Sequence, residues 1–114
     1  MDAAAPVSQW LRGVLDLCLL AIVDTEPAYG YEMTRRLAAL GLEVADGSIY
    51  PALGRLRRDG LVEVFTRPGE AGPARTYYRP TPAGRGVLAG WRGAWLDFAS
   101  GVGRVLAATT EETP

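Results

Sequence analysis

Apolar residues recur at helical spacing almost from the start of the chain. Trp10, Leu11, Val14, Leu15, Cys18, Leu19 and Ile22 form one face of a helix predicted from Ser8, as its cap, to about Asp24. Leu17, Leu20 and Val23 fall on the other side, so this helix is apolar nearly all round. Such a helix is buried on more than one face. In a chain of 114 residues the second face is expected to meet another subunit. Thr25-Glu26-Pro27-Ala28-Tyr29-Gly30 breaks the pattern. A second helix is predicted from about Tyr31 to Leu40, with Met33, Leu37 and Leu40 in one stripe and Gly41 just past its end. After Leu42-Glu43-Val44, Asp46 or Ser48 caps a third helix that runs to about Asp59. Ile49, Leu53 and Leu56 point inward on it, Pro51 sits in its first turn, and Gly60 closes it.

The period then changes. Leu61 to Arg67 reads as a strand, Pro68 to Pro73 as a loop, and Arg75 to Arg79 as the returning strand of a hairpin. Thr81-Pro82 opens a long last helix to about Ala108, with Thr81 as N-cap and Pro82 at the first helical position. Leu88, Trp91, Trp95, Phe98, Val102 and Val105 step by three and four along it, a heptad-like seam. Glycines at 84, 86, 90, 93, 101 and 103 lower its intrinsic propensity, so it needs a partner helix to hold it. The polar tail from Thr109 to Pro114 is expected to fray. This order implies a mainly α fold with a small β-hairpin. Residues 8–80 form a winged helix-turn-helix and residues 81–108 a C-terminal dimerisation helix.

Composition removes most chemistry. There is no histidine, hence no histidine base or metal ligand. The single cysteine, Cys18, excludes an intrachain disulfide and a cysteine zinc site, and its apolar neighbours mark it as a buried small hydrophobe. No metal site, cofactor or catalytic constellation is expected. Met1 to Pro6 lacks the positive start of a signal peptide, and the apolar run Leu15 to Val23 is too short to span a bilayer. A cytoplasmic protein with no membrane role is the expectation.

The net charge is −1, which excludes a uniformly basic nucleic-acid binder but not a local basic face. All 12 basic residues are arginine, the residue suited to bidentate phosphate and guanine contacts; a GC-rich genome would also account for the absence of lysine. Six arginines face three acids between Ser48 and Arg79, so this segment is locally basic. The face of the third helix opposite its apolar stripe offers Ser48, Tyr50, Pro51, Arg55 and Arg58. A helix start with small residues can approach a base edge or phosphate, and arginines one turn apart can follow a phosphate track. Most such charged stripes are nonetheless solvated faces. One residue of the pair Tyr77 and Tyr78 should face the core and the other the solvent or DNA, although both can be strand packing. Of Tyr29 and Tyr31, one is expected in the core and the other is a candidate phosphate contact, with core packing the preferred reading.

The chain resembles the PadR family of transcriptional regulators. The resemblance rests on Tyr29-Gly30-Tyr31-Glu32, Gly47-Ser48-Ile49-Tyr50-Pro51-Ala52-Leu53-Gly54-Arg55-Leu56, Asp59-Gly60-Leu61-Val62 and Arg75-Thr76-Tyr77-Tyr78-Arg79-Pro80-Thr81-Pro82-Ala83-Gly84. It covers roughly residues 10 to 100. The single C-terminal helix is similar to the smaller subfamily. The resemblance implies a homodimeric, ligand-responsive repressor of double-stranded DNA, with the third helix in the major groove and the wing along the backbone or minor groove. Tyr50 stands where the family has its recognition-helix tyrosine. The expected DNA contacts are Tyr31, Ser48, Tyr50, Pro51, Arg55, Arg58, Arg67 and Arg75. The expected dimer and effector residues are Trp10, Leu88, Trp91, Trp95, Phe98 and Val102. Tryptophans on the seam are first of all dimer packing. The resemblance adds a planar aromatic or phenolic effector between paired tryptophans, since Trp95 falls eleven residues after Gly84 as in relatives that bind such ligands, with Trp10 completing the wall. Pro80 departs from the leucine usual in the family and predicts a hairpin that ends one residue early. A winged-helix protein–protein module without DNA binding is the alternative, supported by an isoelectric point near 5.4.

Overall fold

The computed structural model describes residues 5–110. Met1–Ala4 and the last four residues, part of the tail expected to fray, lie outside the described residues. The elements run α1 (Ala5–Thr25), α2 (Gly30–Ala39), α3 (Asp46–Arg58), β1 (Val62–Arg67), β2 (Arg75–Pro80) and α4 (Pro82–Ala108). This is the expected order, three helices, a hairpin and a long helix.

Local chemistry sets most of the boundaries. Gly41 (φ 94°) and Gly60 (φ 75°) lie in the left-handed region just past α2 and α3. At each end two backbone bonds close a Schellman motif: Leu42 N–H to Leu37 O and Gly41 N–H to Ala38 O, then Leu61 N–H to Leu56 O and Gly60 N–H to Arg57 O. Thr81 caps α4 as expected, its Oγ1 accepting from Gly84 N–H at 3.0 Å. Other caps differ from expectation. The first helix begins at Ala5 rather than at Ser8, with Pro6 in the first turn, where a missing N–H leaves nothing unpaired. Neither Asp46 nor Ser48 caps α3; the N-cap is Ala45, without a side-chain bond, and Ser48 N–H donates to Ala45 O at 2.9 Å.

The core joins α1 to every other element of the head. Leu15, Leu19, Leu20, Ile22 and Val23 of α1 pack with Met33, Leu37, Ile49, Ala52, Leu53, Leu56, Leu61 and Val62. Cys18 packs half-buried against this cluster, and burial pushes its thiol pKa up, away from reactivity. Leu88, expected on the dimer seam, is buried in this same core. It lies close enough to the start of α4 to be covered by the rest of its own chain.

The hairpin is antiparallel, with register Val62↔Pro80 through Arg67↔Arg75. It does not end early at Pro80, which is the last residue of β2. Thr81 N–H donates to Leu61 O, so by alternation the amide position of Pro80 faces away from β1 and the ladder loses no bond. Ala28 adds a third strand position by exchanging two bonds with Tyr78 on the other edge of β2. These elements form a winged helix-turn-helix head. The 27 residues of α4 span about 40 Å at 1.5 Å per residue and give the molecule its 62 Å long axis.

Candidate nucleic-acid interface

The third helix buries Ile49, Ala52, Leu53 and Leu56 and leaves the rest of its surface open. Its outermost crest is Gly47, Pro51, Gly54 and Arg58, spaced four, three and four residues apart and all exposed. No Cβ stands on Gly47 or Gly54, and nothing packs over them, so the backbone here can come close to a ligand surface. Arg58 ends the crest, its side chain 72% exposed and only 3.7 Å from the exposed Asp59.

The structure divides the expected reading residues between the two flanks of this crest. On the wing side, Tyr50 and Arg57 share a cleft of about 590 Å³ with Tyr29, Gly30, Tyr31, Arg75, Thr76 and Tyr78. The Tyr50 ring lies directly on Gly30 at the start of α2, where a Cβ would collide with it. Tyr50 is still 60% exposed and Tyr31 62%. Arg57 was absent from the sequence-based set; its spacing of seven from Tyr50 is the signal that places it on the same flank. Tyr78 turns to the core side of the hairpin. Burial pushes its phenol above the usual tyrosine range, nearby Tyr50 pushes the same way, and Arg57 opposes both.

The outer face of the hairpin carries Glu63, Phe65, Arg67, Arg75, Tyr77 and Arg79 by strand alternation, with Arg79 Nε 3.4 Å from Glu63 Oε1. Tyr77 stacks on Phe65 at 5.7 Å and meets the edge of Tyr29 at 5.5 Å. Arg67 lies 4.4 Å above Tyr77, Arg75 4.4 Å above Tyr29 and Arg79 4.7 Å above Phe65. The aromatic surface holds three flexible cations in fixed places along the wing. Thus Tyr78 packs inward and Tyr77 outward, and Tyr29 is half-buried while Tyr31 is open.

The other flank of α3 faces α1. Ser48 and Pro51 line a groove with Ser8, Leu11, Arg12 and Leu15. Arg55 does not share the open face with Arg58. Its Nη2 reaches Asp16 Oδ1 at 2.9 Å and its Nε reaches Oδ2 at 3.4 Å. The hydrogen bond and charge of Asp16 raise the Arg55 pKa above its already high value.

A second feature lies on the α1 side of α4. Trp91, Trp95 and Phe98 of α4 line a cleft of about 700 Å³ with Val14, Leu17, Asp16 and Arg55. Trp10 does not line it; it stands 68% exposed near the start of α1. Leu96, Phe98, Val102, Val105 and Leu106 are exposed as well, so α4 beyond Leu88 presents apolar side chains with no cover from its own chain among the described residues. No group of histidine, cysteine, aspartate or glutamate among the described residues could hold a metal ion, and no helix there is long and apolar enough to cross a membrane.

Comparison with known proteins agrees with this arrangement. Residues 19–90 match the Transcriptional regulator PadR-like family. A transcriptional regulator of Mycobacterium tuberculosis is 35% identical over 91 residues, covering 80% of this chain and 84% of its own length. The crystal structure of a PadR-like transcriptional regulator from Bacillus cereus superposes with a TM-score of 0.79 at 36% identity, covering 91% of this chain and all of that one. A PadR family regulator from Eggerthella lenta gives 0.80 at 33% identity, over 90% of each chain. With a head of this topology, an open arginine-bearing face and matches of this extent, the chain belongs to the PadR-like family of transcriptional regulators and is not an enzyme.

Proposed function

We propose that this regulator is a homodimeric repressor of the cytoplasm that binds a pseudo-palindromic operator and responds to a small ligand. The observation that carries the reading is the pairing of two surfaces in one chain. The face of α3 from its crest across Tyr50 and Arg57 to the wing is open and carries Arg57, Arg58, Arg67 and Arg75, while α4 beyond Leu88 carries a row of exposed apolar side chains. An amphipathic helix with that much exposed apolar surface is covered in solution by a second copy. Two heads related by a two-fold axis then read two half-sites about one or two helical turns apart, at roughly 10–10.5 bp per turn. Trp10, Trp91, Trp95, Phe98 and Val102 form the interface.

In this arrangement the crest of α3 enters the major groove, with Tyr50 reading bases and Tyr31, Arg57, Arg58, Arg67 and Arg75 holding phosphates. Glycines on the crest let the helix lie deep, and the cations stacked along the wing follow the backbone. The cleft at Trp91 and Trp95 takes a planar aromatic or phenolic ligand. Such a ligand regulates only by binding one spacing of the heads better than another.

A gel-shift series across salt with fragments from upstream of the gene tests the reading. Tyr50→Ala removes specific binding. Arg58→Ala weakens all sequences about equally and lowers the salt slope by about one unit. Wild-type protein that binds no fragment would favour an interaction module instead. For the ligand, tryptophan fluorescence is titrated with planar phenolic compounds. Saturable quenching lost in Trp95→Ala supports the cleft; unchanged quenching in a dimeric Trp95→Ala moves the ligand elsewhere.

A further inference from the structure

Arg55 is the arginine of α3 that the open face does not carry. It lies 39 residues from Asp16 in the chain, yet both nitrogens that reach across fall on the two oxygens of one carboxylate. Such a two-point contact fixes direction as well as distance, which a single contact to a lysine would not. It joins the reading helix to α1, the helix around which the core is built. A phosphate drawn to Arg55 would also meet the Asp16 carboxylate, so the pair offers DNA almost no net charge. With Arg12, the same two side chains form the polar wall of the cleft whose apolar wall is Trp91, Trp95 and Phe98. Side chains from α1, α3 and α4 therefore meet at one place, and it is the ion pair that reaches α3.

We propose that Arg55 is a positioning residue rather than a DNA contact: through Asp16 it sets how α3 sits on α1, and it passes the state of the tryptophan cleft to the reading helix. The inference rests on the reading that α3 enters the groove. A change in the packing of α4 against α1 moves Trp91 and Trp95 past the pair. The pair then holds α3 at a different angle, and the heads lose register with the two half-sites. Conversely, DNA that fixes α3 fixes the pair, and with it the surroundings of both tryptophans.

The test uses the full chain and the upstream fragment bound by the wild type, measured across a salt series, with Arg58→Ala as the phosphate-contact control. Arg55→Ala and Asp16→Asn each weaken binding by a similar factor, about two- to fivefold, as loss of a half-exposed ion pair does. Neither changes the salt slope. The double variant is no weaker than either single one, because both remove the same contact. Arg55→Lys, which keeps the charge and loses the second point of contact, falls between. In a Trp10→Phe background, DNA shifts the emission of Trp91 and Trp95, and Asp16→Asn removes the shift. Asp16→Asn is a conservative change at a half-exposed site, so the test does not depend on Arg55→Ala folding well. A slope that falls by about one unit in Arg55→Ala, with Asp16→Asn binding as tightly as wild type or tighter, would make Arg55 a phosphate contact and overturn the proposal. An emission shift that survives in Asp16→Asn would overturn the link to the cleft. Wild-type protein that binds no DNA would overturn the functional reading and this inference with it, an outcome distinct from both.

Discussion

The head and the outer part of α4 use the same kinds of apolar residue to opposite ends. In the head, Leu19, Leu20, Met33, Ile49, Leu53 and Leu56 are all but inaccessible, and each finds its complement in the same chain. Beyond Leu88, Leu96, Phe98, Val102, Val105 and Leu106 lie open on both sides of one helix. The difference is one of reach. Leu88 is near enough to the hairpin to be covered by its own head; Trp91, Trp95 and Phe98 still face α1 across an open cleft, and the turns after them extend past the head. Apolar patterning thus records that a face is buried, not in whose core it is buried. The head covers its own core, and in the proposed dimer a second copy covers α4.

Substitutions that separate the two regions should differ in kind. The largest effect is expected at their joint. Gly84 leaves no room for a Cβ against the Leu61 carbonyl, and the neighbouring Thr81 hydroxyl donates to Gly60 O at 2.6 Å. Gly84→Val should leave too little folded protein for a cooperative thermal transition, because the obstacle is backbone and cannot turn aside. Next, Leu53→Ala in the head should lower unfolding free energy by about 2–5 kcal/mol in a denaturant titration. Phe98→Asp in the outer helix should do something different. By sedimentation it should convert dimer to monomer, with helical circular dichroism of the head retained. A Phe98→Asp protein that stays dimeric would place the interface elsewhere.

Smaller effects sharpen the picture of the head. Gly41→Ala should destabilise by about 1 kcal/mol, since φ 94° is strained for any residue with a side chain although nothing crowds the site. The smallest effect concerns pH. The Tyr78 phenol is held above its usual pKa of about 10, mainly by burial. The folded state therefore keeps this proton longer than the unfolded one. Its contribution is complete below pH 10 and is lost as pH rises through the folded value. Thermal melts above pH 10 should fall less steeply for Tyr78→Phe than for wild type.

What was legible in the sequence was local. Gly41, Gly60 and the Thr81-Pro82 start of α4 act through neighbours within a few residues, so their roles can be read directly. The stripe Ile49, Leu53 and Leu56 likewise fixes which side of α3 is inward. The features that spacing alone does not show have non-local causes. Arg55 looked like a companion of Arg58, but a carboxylate 39 residues earlier turns it aside. Leu88 looked like the first step of the seam, but the head reaches it first. Arg57 was passed over although its spacing from Tyr50 puts both on the wing flank, and the partnership of Ala28 with Tyr78 leaves no trace in either segment alone. Pro80 illustrates the reverse: a residue read as a strand breaker sits where the ladder needs no donor.

In the proposed dimer two open heads are held at a fixed spacing by the two copies of α4. Sedimentation of the labelled upstream fragment with increasing protein tests it most directly, because it counts chains per complex. Wild type should go in a single step to two chains per operator, and Phe98→Asp should form no stable complex at the same concentration. A wild-type complex containing one chain, or Phe98→Asp monomers that bind the operator as tightly as wild type, would contradict it.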